Sequence, residues 1–158
     1  MGAINNAFNQ AAGTVAGAAL AIKHAKESEE SKMHTADNTA LVARNQARAA
    51  EAEANAANVE ATQKGGLTEQ MAAADVNKEK AEKAYDKAKN RKNGSIKTRL
   101  KKFDDLMAAQ EAEFALKTKY KAIVDINNRA TEQRIYAAKA TKMALDAKEK
   151  FEKHWGGK

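Results

Sequence analysis

The chain has 158 residues, with 28 basic and 21 acidic side chains and a net charge of +7. Alanine supplies 37 of the 68 hydrophobic residues, and Leu, Ile, Val and Phe together number only 22, which argues against a compact globule with a large core. The lack of cysteine excludes disulfides, thiolate metal sites and thiol catalysis. Good helix formers almost throughout, with no proline, predict an all-α fold rather than disorder.

Residues 1–22 form an uncharged segment rich in glycine and alanine. Within it, Gly13 and Gly17 have the small-xxx-small spacing that lets two helices approach closely. As a helix the segment would be roughly 33 Å long, enough to cross a bilayer. Its several Asn and Gln side chains instead favour a tightly packed helix inside a protein assembly, with membrane insertion of several copies as the alternative.

Residues 23–64 contain a second feature, a seam of alanines at alternating steps of four and three residues, which is the spacing of a heptad repeat. The alanine seam consists of Ala36, Ala40, Ala43, Ala47, Ala50, Ala54, Ala57 and Ala61. Traced backwards, it passes Met33, is interrupted by the polar Glu29 and Lys26, and then resumes, which predicts one helix of roughly sixty residues. Burial of apolar surface stabilises a fold by about 25 cal/mol per Å², and alanines bury little surface, so a single copy of this helix would be weakly held. We therefore expect a coiled-coil-like, oligomeric protein.

A glycine pair separates the first helix from the second. Gly65 and Gly66 end or kink the alanine-rich helix. Leu67 and Thr68 then predict a hydrophobic staple and an N-cap for a new helix. We assign this second helix to residues 67–92.

A second break lies at Asn93-Gly94-Ser95. Asn93 and Gly94 tolerate positive φ, and Ser95 is a suitable helix cap, so we predict a sharp reversal of the chain. A third helix follows over residues 95–155. The predicted architecture is an αα-hairpin of the second and third helices with the first helix extending from it.

The third helix holds most of the large apolar side chains. Two rows with helical spacing predict its main packing surface. The rows are Ile96, Leu100, Phe103, Met107 and Phe114 and, after a shift of register, Leu116, Tyr120, Ile123 and Val124. Two further rows between residues 135 and 151 predict contacts with two neighbours.

Positive charge is concentrated around the second break. Residues 78–102 include eleven basic and only three acidic side chains. A reversal at Asn93-Gly94-Ser95 would bring this charge to one hairpin tip, able to bind nucleic-acid phosphates, anionic lipid headgroups or an acidic protein surface; a solvated lysine-rich turn is the structural alternative. Few aromatic residues are interleaved, so sequence-specific base reading is not expected. The residues assigned to an acidic partner are Lys87, Lys89, Arg91, Lys92, Lys101 and Lys102.

No pattern of catalytic or metal-binding residues is present in the sequence. His24, His34 and His154 lack the spacing that places two ligands on one helix face, and a surface pair of His34 with Asp37 is the most we expect of them. There is no phosphate-binding loop, nucleophile elbow or HExxH motif. We therefore expect no enzymatic activity, metal or cofactor.

The uncharged start, with Gly2-Ala3-Ile4 and residues 11–19, and the long helix that includes residues 43–51 resemble the small internal virion, or ejection, proteins of short-tailed phages. This resemblance of composition covers roughly residues 1–64. It implies an oligomeric protein packaged near the portal, released with the genome and able to line a conduit through the host envelope. Residues 1–22 would be the membrane-active part, and the basic tip would lie near DNA or an acidic neighbour.

We accordingly expect a non-enzymatic virion component near the portal or tail that assists genome ejection. Its expected partners are copies of itself and other virion proteins, with the DNA backbone and the host membrane as further candidates. Two alternatives remain. Residues 79–89 resemble late-embryogenesis-abundant proteins, which implies an amphipathic helical protein that binds membranes and is disordered alone. A basic nucleic-acid-binding helical protein is the other, although residues 23–64 are slightly acidic.

Overall fold

The computed structural model describes the backbone of residues 2–156 and the side chains of residues 15–156, and this part of the chain is all-helical. Helix α1 spans Gly2–Thr62, α2 spans Leu67–Lys89 and α3 spans Ile96–Trp155. The prediction of an all-α fold is confirmed. The largest error in a helix end is at α2, which ends at Lys89 rather than at Lys92. The helices form two compact units, residues 1–47 with 133–158 and residues 48–132.

In the first unit, α1 and α3 pack antiparallel through alanines. Ala40 and Ala43 of α1 form a buried cluster with three alanines of α3, and two further seam alanines pack at its edge. The three alanines of α3 are Ala137, Ala140 and Ala144. At the end of α3, the Trp155 indole N–H donates to Glu29 Oε2 over 2.7 Å. The polar interruption that the sequence shows at Glu29 therefore has a partner on α3.

Helix α1 is packed against α3 over only part of its length in the first unit. We expected α1 to extend from the hairpin of the other two helices. From Glu29 to Ala47 it instead packs against α3, whereas every side chain from Val15 to Ser28 is exposed. The backward continuation of the seam through Ile22 and Val15 is accordingly exposed to solvent.

In the second unit, the end of α1 and the whole of α2 pack against the first part of α3. Asn58 and Asn127 exchange two side-chain hydrogen bonds of 2.9 Å, and Asn127 also donates to the Ile123 carbonyl. Further along, Lys78 of α2 lies 3.3 Å from Glu113 of α3. Positions later in α1 and α2 meet positions earlier in α3, so α2 and α3 form the predicted antiparallel hairpin.

The break between α1 and α2 requires both of its glycines. Gly65 has a φ of 76°, in the left-handed region that side chains disfavour, and its N–H donates to Glu69 Oε2 over 2.8 Å. A Cβ on Gly66 would lie 2.6 Å from the carbonyl oxygens of both Ala61 and Glu60. Glycine is therefore required at position 65 by the backbone conformation and at position 66 by the lack of space for a side chain.

The predicted cap of α2 is wrong by two residues. Gly66 occupies the N-cap position without a side-chain hydrogen bond, and Leu67 is already the first residue of the helix. Leu67 is buried, whereas Thr68 is exposed inside the first turn. Burial of Leu67 against the neighbouring helices fixes the start of α2, and no hydroxyl cap is used.

The core is made of small side chains. Of the nine buried hydrophobic residues described, eight are alanine and the other is Leu67. None of the large side chains between residues 15 and 156 is fully buried. Seventeen large hydrophobic side chains in that range are exposed. This distribution is the reverse of the usual one, in which the largest apolar side chains occupy the interior.

The prediction that the large apolar rows of α3 form its main packing surface is therefore largely wrong. All five members of the row from Ile96 to Phe114 are exposed, as is Tyr120 of the following row. Leu116, Ile123 and Val124 are half-buried. Where it meets α1 in the first unit, α3 instead presents alanines, because alanine faces let helix backbones approach more closely than large side chains allow.

Candidate functional site: a basic turn beside an exposed apolar row

The turn between α2 and α3 is held by backbone carbonyls and by one arginine. The backbone N–H of Asn90 donates to the Asp86 carbonyl over 3.1 Å and closes the end of α2. Arg99 Nη2 reaches back over 3.0 Å to the Arg91 carbonyl, and the Arg99 N–H donates over 3.1 Å to the Ser95 carbonyl. Arg99 thus connects the loop to the first turn of α3, which explains why this cation is half-buried.

An aromatic contact fixes the two arms of the turn side by side. The rings of Tyr85 on α2 and Phe103 on α3 are tilted by 57°, with centroids 5.7 Å apart, a favourable arrangement for two aromatic side chains. The structure therefore brings together the basic residues that precede and follow the reversal. We call residues 87–102 the basic turn.

The basic turn accounts for the whole net positive charge of the protein. Its sixteen residues include eight basic and no acidic side chains, whereas the rest of the chain has twenty basic and twenty-one acidic ones. Such a concentration of like charge creates a local positive potential. An anionic partner would consequently be attracted to this part of the molecule in particular.

The six basic residues that the sequence analysis assigned to an acidic partner all lie in the basic turn, and their charges are not neutralised by ion pairs within the described chain. Five are exposed and Lys102 is half-buried. Within residues 15–156, none of the six forms an ion pair within 4.0 Å, in contrast to Lys83, which pairs with Glu79 over 3.0 Å. The five exposed residues are Lys87, Lys89, Arg91, Lys92 and Lys101.

Beside these charges runs an exposed apolar row that sequence reasoning had assigned to the interior. Ile96, Leu100, Phe103 and Met107 are 74%, 59%, 42% and 40% exposed. Their steps of four, three and four residues place them within an arc of about 60° on one face of α3. We call these four residues the apolar row. No signal in the sequence separates this exposed row from a buried one, because both have the same apolar spacing.

Glu113 is a buried carboxylate at the contact of α2 with α3. Its hydrogen bond from Lys117, one turn later on α3, is the main cause that holds the Glu113 pKa below its ordinary value, and burial opposes this shift. Lys78 of α2 adds a second favourable contact over 3.3 Å. The hydrogen bond to Glu113 also raises the Lys117 pKa. This cluster joins two helices and keeps its carboxylate ionised.

The alanine seam packs within the chain, and Gly17 of the predicted glycine pair does not meet another helix. All eight seam alanines are buried or half-buried, and in the first unit their partner is α3. Gly17 is exposed, and a Cβ there would meet no atom within 4 Å. Gly13 lies outside the residues whose side chains the structure describes.

In the described part of the chain, His24 and His34 pair only with exposed glutamates of their own helix. The ion-pair partner of His34 is Glu30, at 3.8 Å, rather than Asp37 as we expected, and His24 lies 4.0 Å from Glu27. Between residues 15 and 156, no three side chains of the metal-ligating types come together.

No family model, curated protein or solved structure matches the chain. Among the described residues, no helix combines the length and apolarity needed to cross a membrane. The surface chemistry of the chain itself is therefore the guide to its function.

Proposed function

We propose that this protein is a non-enzymatic helical component of a phage virion, located near the portal or tail, that assembles with copies of itself and with other virion proteins and assists delivery of the genome across the host envelope. One observation carries the assembly part of the proposal. The core of the described chain is alanine, while seventeen large hydrophobic side chains are exposed. Large exposed apolar surfaces mark sites of interaction with other molecules.

The first unit offers a surface suited to a second copy. A groove of about 540 Å³ lies along the contact of α1 with α3 and has a mainly apolar lining. Tyr136 and Met143, one heptad apart on α3, stand at this groove beside Ala36 and Ala140, and both large side chains are exposed. Knobs one heptad apart are what a further helix needs in order to pack against the pair.

The virion part of the proposal is supported by composition. Residues 1–64 resemble internal virion proteins of short-tailed phages in their uncharged start and alanine-rich helix. Glu113, the one buried carboxylate among the described residues, is held ionised by two lysines and is therefore unsuited to donate a proton near neutral pH.

Sedimentation equilibrium of the purified chain tests assembly. We expect an oligomer that is weakened by the double substitution Tyr136→Ser and Met143→Ser, with Leu41→Ser as the matched control because Leu41 is similarly exposed but does not line the groove. Circular dichroism verifies that each variant remains helical. A monomer at every accessible concentration would contradict self-assembly, and a disordered monomer would favour the late-embryogenesis alternative.

The virion location requires a separate experiment. Phage particles are purified on density gradients from infections with the gene intact and with the gene deleted, and peptides of this chain are measured by mass spectrometry. We expect the peptides in intact particles, together with a defect in genome delivery when the gene is deleted. Peptides confined to the soluble lysate would rule out a virion component.

A further inference from the structure

We propose that the basic turn and the apolar row together form a docking surface for membranes that contain anionic lipid, with the first turns of α3 lying in the plane of the lipid interface. This names the lipid-facing part of the protein described above. It rests on the proposed function only for its biological setting, because lipid binding is measured on the isolated chain.

The apolar row supplies the part that enters the interface. Ile96 and Leu100, at the very start of α3, are the most exposed of its members, and Phe103 follows one turn later. Helices that bind in the interfacial plane place Leu and Phe side chains of one face at the boundary between headgroups and acyl chains. In water, the same side chains have no favourable contact on their outer face, so transfer to that boundary is favourable.

The basic turn supplies the attraction. Lys97 and Lys101 lie on α3 itself, close in sequence to the apolar row, and both are exposed. Lys87, Lys89 and Lys92 come from the other arm and the loop, which the contact of Tyr85 with Phe103 holds beside the start of α3. Basic clusters next to an interfacial helix bind anionic headgroups, each charge raising the affinity roughly fivefold.

This combination distinguishes a lipid surface from the other candidate occupants. Two copies of the chain that met at this face would bring two clusters of eight basic residues together without an acidic residue between 87 and 102 to offset them. Duplex DNA would use the charges, but its phosphates make no use of four aliphatic and aromatic side chains in a row. Anionic lipid is the partner that satisfies both halves of the surface.

Vesicle co-sedimentation of the full chain tests the proposal. Vesicles of phosphatidylcholine mixed with phosphatidylglycerol are compared with vesicles of phosphatidylcholine alone. We expect binding to the mixed vesicles, and a loss of affinity of at least about tenfold in the variant Ile96→Ser/Leu100→Ser because it removes two interfacial side chains. The variant Lys97→Gln/Lys101→Gln should lose roughly twenty-five-fold in affinity through the removal of two charges.

The matched control is Leu145→Ser, since Leu145 is 62% exposed, as against 59% for Leu100, but lies outside the apolar row. We expect it to leave lipid binding unchanged. Equal losses in Leu145→Ser and Ile96→Ser/Leu100→Ser would overturn the proposal, as would equal binding to both kinds of vesicle. Circular dichroism of each variant without lipid shows that the helices are retained, which the exposure of every substituted residue predicts.

A fluorescence measurement reports the insertion directly. In a Trp155→Phe background, tryptophan is placed at Leu100 or, as the control, at Leu145, and mixed vesicles with brominated acyl chains are added. We expect quenching and a blue shift for Leu100→Trp only. Lack of quenching in the Leu100→Trp variant would refute the proposal. Binding of a fluorescent DNA duplex without binding to mixed vesicles would also refute it and would favour a nucleic-acid partner. Sedimentation without lipid reports self-assembly independently, so the two proposals can fail separately.

Discussion

Replacement of Ala137 by leucine tests whether close approach of alanine faces holds the first unit together. Ala137 is 6% exposed and belongs to the same cluster as Ala40 and Ala43, each 1% exposed. Leucine would gain about 2 kcal/mol from its three added carbons if space were available. With almost no free surface on either helix, α1 and α3 must instead move apart, which separates the other alanines of the cluster.

We therefore expect the overpacking cost to prevail and the free energy of unfolding to fall by about 2 kcal/mol in Ala137→Leu. The midpoint of thermal unfolding should fall by roughly 4–8 °C, given the usual relation for chains of this size. Ala138→Leu is the matched control because the next residue along α3 is exposed, and it should change stability by no more than about 0.5 kcal/mol. Urea and thermal unfolding followed by far-UV circular dichroism give both values. An Ala137→Leu protein as stable as Ala138→Leu would refute close packing of these faces.

Two further substitutions test the break after α1 and the buried carboxylate. Gly66→Ala places a Cβ 2.6 Å from two backbone carbonyl oxygens and should lower the free energy of unfolding by about 2 kcal/mol. Gly17→Ala, in open space within α1, should raise it by about 0.5–1 kcal/mol. Urea titrations in which both variants change the free energy of unfolding in the same direction would contradict this account. Glu113→Gln should be less stable than the unaltered protein at neutral pH, and because the folded Glu113 pKa is lowered, this difference is present above pH 4.5 and is lost as the pH falls through the folded value. Because the folded Lys117 pKa is raised above 10.5, its contribution is present below that value and is lost as the pH rises through the folded pKa. A stability difference between the two proteins that stays constant in acid would show that the charge of Glu113 is not involved.

The presence of three helices and the places of the two breaks between them follow from local properties of the sequence. An alanine-rich chain without proline favours helix at nearly every position, and the two interruptions occur where glycines permit a change of direction. The heptad spacing of the alanine seam likewise identified a face of α1 whose residues are buried or half-buried. The basic turn could also be located, because a reversal between two runs of lysine brings them together whatever the rest of the fold.

The sequence by itself determined which positions share a helix face, but only the tertiary structure decided which face is covered. The hydrophobicity of the row that starts at Ile96 predicted that this row is the main packing surface of α3, but the row is exposed. In the sequence Glu29 interrupts the alanine seam, and only the fold shows its hydrogen-bond partner, Trp155, which lies far away along the chain. The physical reason is that burial depends on the fit between two surfaces. Small faces allow the closest approach of two backbones, so alanines fill most of the core while seventeen large hydrophobic side chains remain exposed.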